Sequence, residues 1–326
     1  MEGLIRLCGH PLCHNTGGPR SRKESPVIPV PAKWLTAVFA VLTLAFAGEG
    51  RAAEPLRVVA TFSILGDMVR QVGGDAVTVA TLVGPGGDPH VYEPTPSDVG
   101  IVVGARVVII NGLGIEGWIE RLIKASGTKA VVATASRDVA PLGLEERDGE
   151  GKPDPHAWQD LTNGRLYVRN IAEALAKADP ARASDYHRRG QAYDEELKAL
   201  DLWVRGEVGR VPDARRRIIT SHNAFRYFAK AYGVTFLAPV GLGTESEPTA
   251  SGLAGLVRQI RSEGVKTLFV ETMADPRLMR TLERETGATI GGDVYSDSLS
   301  PPGGPADTYA GMFRHNVPAF VAAMTK

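Results

Sequence analysis

The chain has 326 residues, of which 43% are hydrophobic, 23% charged and 6% aromatic, and its 37 Lys and Arg balance 37 Asp and Glu. That length allows two medium domains, each with its own core. A formal charge of zero gives no support to nucleic-acid binding, which calls for a basic patch or stripe.

Residues 1–53 read as a signal peptide and leader. A polar stretch carrying Arg20, Arg22, Lys23 and Lys33 precedes an uncharged apolar run over 34–47. This run is shorter than the roughly 20 apolar residues a membrane-spanning helix needs. Small residues follow at Gly50, Ala52 and Ala53. A basic flank, a short apolar core and a small-residue site describe a secretory signal peptide. Cys8, Cys13 and His14 fall in this leader, without the second ligand pair of a zinc cluster. No cysteine follows the apolar run, so the expectation is a soluble protein of the periplasm rather than a lipoprotein. Removing 1–53 takes away six basic and three acidic side chains, leaving 31 Lys and Arg against 34 Asp and Glu. A mild negative balance suits a protein that receives cations.

From residue 54 onward, short β-branched runs alternate with longer amphipathic stretches, the pattern of a parallel sheet covered by helices. Strands are expected at 57–61, 77–82, 107–110 and 130–132, and helices at 64–72, 96–104 and 116–125. Thr95 or Ser97 can cap the second of these helices. A long loop spans 84–94, and an acidic loop rich in Pro and Gly spans 140–157. A helix is expected over 163–178, with Asp160 or Thr162 as its cap. Asp179-Pro180 then restarts a helix, since Pro fits the first helical position. This helix runs over 180–207 without an interior Pro, a rod of roughly 40 Å. Strands at 217–221, 235–238, 266–270 and 288–290 then alternate with helices at 224–232, 251–263 and 276–285. A helix over 308–324, bent at Pro318, closes the chain. The fold class is therefore α/β: two lobes with parallel sheets flanked by helices, joined by one long helix. The N-terminal lobe takes 54–179, the linking helix 180–208 and the C-terminal lobe 209–326.

Gly112-Leu113-Gly114-Ile115-Glu116-Gly117 matches the dinucleotide-binding pattern G-x-G-x-x-G, but it follows the third strand of its lobe rather than the first. The acid expected about 20 residues later could only be Asp138, beyond the next strand. A tight strand-to-helix connection explains the glycines better. The histidines say more. His90 and His156 each follow Asp-Pro in a loop, where Pro makes the backbone rigid. His222 comes just after a strand, as does Asp297, and open α/β folds bind ligands beyond the carboxyl ends of their strands.

Four segments carry a family resemblance. Residues 86–98 (Gly-Gly-Asp-Pro-His-Val-Tyr-Glu-Pro-Thr-Pro-Ser-Asp) resemble the first metal-binding segment of the zinc/manganese-type solute-binding proteins of ABC importers. Residues 154–158 (Asp-Pro-His-Ala-Trp) resemble the second, 221–228 (Ser-His-Asn-Ala-Phe-Arg-Tyr-Phe) the third and 295–299 (Tyr-Ser-Asp-Ser-Leu) the fourth. Segments 111–118 and 244–248 also look like the family's, and the likeness extends over 56–323. The resemblance implies that His90, His156, His222 and Asp297 ligate one metal in the cleft between the lobes, with the linking helix as a rigid backbone. It also implies a membrane permease and its ATPase as partners and no enzymatic activity. The protein is expected to be a monomer.

Three neutral imidazoles and one carboxylate suit Zn²⁺, whereas Mn²⁺ prefers more oxygen donors. The third ligand of this family can be His or Glu, so His222 favours zinc. The His-rich loop of many zinc-dedicated relatives is missing, as 140–157 contains only His156, and Mn²⁺ stays the alternative. A zinc-dependent hydrolase is the alternative from another class. It would need an open position for water, which a fourth protein ligand at Asp297 would close. His187 and His315 match no ligand position.

N-terminal sequencing of the exported protein is expected to find Ala53 or Glu54 first. A soluble exported protein that retains Trp34 would rule out the signal peptide.

Overall fold

β1 (Leu56–Phe62) is buried at every position but Arg57, as a central strand covered on both faces requires. It pairs in parallel with β2 (Val77–Val83) on one side and β3 (Val107–Ile110) on the other, and β4 (Val131–Thr134) lies beyond β3. The computed structural model describes residues 22–23, 54–143, 152–245 and 248–326. Both cysteines and the apolar run of the expected signal peptide lie outside these residues. Three helices connect the strands: α1 (Ser63–Gly73), α2 (Pro96–Val103) and α3 (Ile119–Ser126). Thr95 is the residue that caps α2, with Pro96 at the first helical position and the Asp98 carboxylate accepting the Thr95 N–H at 2.7 Å.

α4 (Leu161–Ala178) is capped by Asp160, whose carboxylate accepts the Thr162 N–H. The linking segment is not helical from Pro180 in one piece. Pro180–Arg182 forms a single 3₁₀ turn, and α5 runs over Ala183–Gly209, about 40 Å at 1.5 Å per residue. α5 packs along α4 and also touches α1.

The second half repeats the first in topology. β5 (Arg217–Ile219), β6 (Thr235–Leu237), β7 (Thr267–Glu271) and β8 (Thr289–Val294) form a parallel sheet in the order β6-β5-β7-β8, matching β2-β1-β3-β4. α6 (Arg226–Tyr232), α7 (Ala250–Glu263) and α8 (Pro276–Thr286) connect its strands, and α9 (Tyr309–Thr325) runs through Pro318 as one helix and packs against α5. Among the described residues, no helix is long and apolar enough to cross a membrane.

Three boundaries differ from the sequence expectation for physical reasons. α3 starts at Ile119 rather than at 116, because the Glu116 carboxylate turns inward to take the Asn111 N–H at 2.5 Å and the Thr61 hydroxyl at 2.6 Å. β5 stops at Ile219 rather than at 221, since His222 makes only an isolated bridge to Val240. β8 runs on to Val294 through Gly291 and Gly292, beyond the expected end at 290. A Cβ on Gly291 would lie 2.4 Å from Thr267 Cγ2, so the close approach of β7 requires glycine there.

One large core joins the halves. It runs from β1, β3 and α1 through α4 and α5 to Phe225, Phe228, Phe313 and Phe320, while a smaller cluster around Leu268 and Met279 fills the far side of the second sheet. Gly190 of α5 sits against α4, where an added Cβ would meet the Ala172 Cβ at 2.9 Å. Gly190→Leu is expected to destabilise the protein by about 1–3 kcal/mol through overpacking. Thermal melting checks this, and an unchanged Tm would show that the two helices are free to part.

Candidate metal centre

The two Asp-Pro-His segments build the same turn. Asp88 Oδ1 accepts the His90 N–H at 2.8 Å, and Asp154 Oδ1 accepts the His156 N–H at 3.0 Å. Each carboxylate closes a turn over the intervening proline, whose fixed φ leaves the following ring little freedom. Both turns are held from outside by the segment 111–118. Trp118 Nε1 donates to Pro89 O at 2.9 Å, and Asn111 Nδ2 donates to Pro155 O at 3.0 Å. The glycine-rich motif thus has a positional task. Gly112 and Gly114 adopt positive φ, 82° and 89°, letting the chain fold back between those two anchors.

The other two residues follow strands of the second sheet. His222 lies just beyond β5, its N–H donating to Glu271 Oε1 at 2.8 Å. Asp297 lies three residues beyond β8, in a loop locked to the first half. Trp158 Nε1 and Gln159 Nε2 both donate to Ser296 O at 2.9 Å, and Leu299 N–H donates to the Ser63 hydroxyl at 3.0 Å. The Thr244 hydroxyl donates to Asp88 Oδ2 at 2.6 Å, giving the segment at 244 a place beside the first turn.

His90, His156, His222 and Asp297 come together, each offering one donor atom, with all four atoms within 4.8 Å of one another. His90 Nε2 is 3.2 Å from His156 Nε2 and 3.2 Å from Asp297 Oδ2. His222 Nε2 is 3.3 Å from His156 Nε2 and 3.1 Å from Asp297 Oδ2. Donors about 2.0–2.1 Å from one tetrahedral ion would lie roughly 3.3–3.4 Å apart, which these four separations approach, while the remaining pairs lie within 4.8 Å. His156 and Asp297 are fully buried, His222 is 1% exposed and the His90 side chain 6%. His187 is exposed on α5, and His315, on α9, has its Nε2 3.1 Å from Asp293 O of β8. Neither joins the cluster.

The outer nitrogens of two of the rings face carboxylates. His156 Nδ1 is 2.8 Å from Asp154 Oδ1, and His222 Nδ1 is 2.6 Å from Glu271 Oε2, at an angle short of a linear hydrogen bond. Glu271 lies in none of the segments that mark the site in the sequence. Its signal was there, as an acid placed directly at the end of an apolar strand run. Asp154 was visible only as part of a motif, without its role.

Burial opposes charge on His156, but Asp297 and Asp154 outweigh it and hold the pKa up at about 9. Burial opposes charge on His222 as well, and there Glu271 and Asp297 push the pKa well above that of free imidazole. Burial alone would raise the Asp297 carboxyl, whereas the two charged rings hold it well below the usual range. Without a metal ion, then, protons occupy the positive positions that the buried carboxylate calls for.

The family described as zinc-uptake complex component A, periplasmic, matches residues 58–323. The chain belongs to it, the zinc/manganese-type solute-binding proteins of ABC importers, and is a binding protein rather than an enzyme. It is 36% identical over 279 residues to the manganese-binding lipoprotein MntA of Halalkalibacterium halodurans, a match covering 86% of this chain and 92% of that protein. It is 35% identical over 272 residues to the metal ABC transporter substrate-binding lipoprotein SloC of Streptococcus mutans, covering 82% and 89%. Among solved structures, the periplasmic zinc-binding protein TroA of Treponema pallidum superposes with a TM-score of 0.79 at 30% identity, covering 83% of this chain and 99% of that one. A manganese-bound periplasmic metal-binding protein of Candidatus Liberibacter asiaticus gives 0.74 at 30% identity, covering 82% and 99%.

A metal ion entering this site must displace the protons on His156 and His222, so its affinity should fall as pH falls below about 9. The expected slope is about tenfold per pH unit for each proton displaced. Chelator-competition titrations with zinc between pH 6 and 8 measure it, and an affinity independent of pH would remove the histidines from the site.

Proposed function

We propose that the protein captures Zn²⁺ in the periplasm through His90, His156, His222 and Asp297 and delivers it to a membrane permease and its ATPase. The observation that supports this most is the convergence of three imidazole nitrogens and one carboxylate oxygen, 3.1–3.3 Å between neighbouring pairs, in a cleft closed to water. Nitrogen-rich, four-donor tetrahedral shells suit zinc. Three neutral imidazoles and one carboxylate leave the dication with a net charge of +1, which the buried carboxylates behind the rings moderate. In this reading residues 1–53 are an export leader, the lobes 54–179 and 209–326 each contribute two ligands, and 180–208 braces them. The protein acts as a monomer. The related proteins named above as lipoproteins differ in anchoring from what this sequence suggests, since Cys8 and Cys13 both precede the apolar run.

Mn²⁺ is the second reading. Asp297 Oδ1 is buried, has no hydrogen-bond partner, and lies 3.6 Å from His156 Nε2. A carboxylate turned to offer both oxygens would give the more oxygen-rich shell that manganese prefers. The chain also resembles proteins named for manganese as well as one named for zinc.

Competition titrations of zinc and manganese against His→Ala variants test both readings. His90→Ala, His156→Ala and His222→Ala should each weaken zinc binding by about 100-fold or more, since loss of a direct ligand should exceed the 10–100-fold typical of outer-shell changes. His187→Ala and His315→Ala should leave it within about twofold, as expected of residues outside the shell. Equal losses from all five would dismantle the proposed shell, and a wild type that prefers manganese would exchange the two metals.

A further inference from the structure

Two of the three imidazoles in the cluster have a buried carboxylate behind them, and the two carboxylates are supplied differently. Asp154 belongs to the same turn as His156. Glu271 reaches His222 from the end of β7, a separate strand, and is fully buried. Its Oε1 accepts the His222 N–H at 2.8 Å, and its Oε2 lies 2.6 Å from His222 Nδ1 and accepts the Ser296 hydroxyl. Its own N–H donates to the Ser221 hydroxyl at 3.1 Å. Ser221 precedes His222 and Ser296 precedes Asp297, so one side chain and its backbone grip the neighbours of both second-half donors.

This grip has an electronic side. A neutral imidazole carries one proton, on one of its two nitrogens. An ionised carboxylate accepts hydrogen bonds and donates none, so a ring facing Glu271 keeps its proton on Nδ1 and turns the Nε2 lone pair toward Asp297 and His156. A buried negative charge against Nδ1 also makes Nε2 a stronger donor. Stronger nitrogen donation benefits a metal high in the divalent affinity series more than one at its low end, so zinc gains more than manganese.

We propose that Glu271 is the positioning residue of this site: it fixes the tautomer and aim of His222, holds the Asp297 loop in register, and thereby favours zinc over manganese. The inference rests on His90, His156, His222 and Asp297 being the metal shell.

Glu271→Gln tests it with little change in shape. The amide can still accept the His222 N–H through its oxygen, but its NH₂ group then faces Nδ1 and favours the tautomer with the proton on Nε2. Zinc affinity should fall about 10–100-fold, the range typical for partners behind metal-bound histidines. Manganese affinity should fall by less, so the zinc-to-manganese ratio narrows. Unchanged zinc affinity or equal losses for the two metals would each overturn the proposal. The wild type supplies a measurement independent of whether the variant folds. In the zinc-loaded protein His222 should be protonated at Nδ1 with Nε2 bound, and the reverse arrangement would overturn it. His222→Ala separates the two readings. A large loss there with none in Glu271→Gln defeats only the role of Glu271, whereas no loss in His222→Ala defeats the metal shell itself.

Discussion

Asp297 is a carboxylate with no access to water, and its near neighbours are three imidazole rings. A dry negative charge costs several kcal/mol unless positive charge meets it at close range. In the protein without metal, protons on His156 and His222 meet that demand, and in the loaded protein a dication would. The cleft is therefore built around a positive centre, and the parts that form it depend on one another. The Asp297 loop is sealed by Trp158, Gln159 and Ser63 of the first half. The His156 turn is in turn held by Asn111, which Tyr167 braces by donating to its side-chain oxygen at 2.8 Å. Removing the central charge would leave these hydrogen bonds surrounding an unneutralised carboxylate.

Much of this was legible in the sequence because the relevant signals are local. The repeated Asp-Pro-His marks two turns by its own chemistry, and alternating β-branched and amphipathic stretches place eight strands in the right order. His222 and Asp297 stand just beyond strands, where a parallel sheet opens to a ligand. What escaped is what only the third dimension decides. Glu116 reads as the start of an amphipathic helix, and only its hydrogen bonds to Thr61 and Asn111 delay that helix to Ile119. The expected strand stops at 290, yet β8 continues to Val294, and the crowding against Thr267 makes glycine the residue that fits at 291. Glu271 falls one residue beyond the expected strand, and its contacts with His222 and Ser296 span 49 and 25 residues of chain.

The glycine-rich segment shows how a pattern can be real and its usual meaning wrong. Its glycines permit a backbone reversal, which is what such a motif does at a phosphate as well. Here the reversal brings Asn111 and Trp118 to two proline carbonyls. The same local geometry is used to aim histidines instead of cradling an anion.

The core described above crosses from one sheet to the other without a break, and α5 lies along helices of both halves. Proteins whose lobes are joined only by flexible strands can swing open when empty, so a receptor reads occupancy from their silhouette. A continuous hydrocarbon interior resists that swing, because parting the halves would wet apolar surface that the shared core buries. On that ground the empty and filled forms would differ little in outline. Any difference between them would then be local, at the loop 84–94 that carries His90. There His90 is the most exposed member of the cluster, and the neighbouring Val91 is 50% exposed.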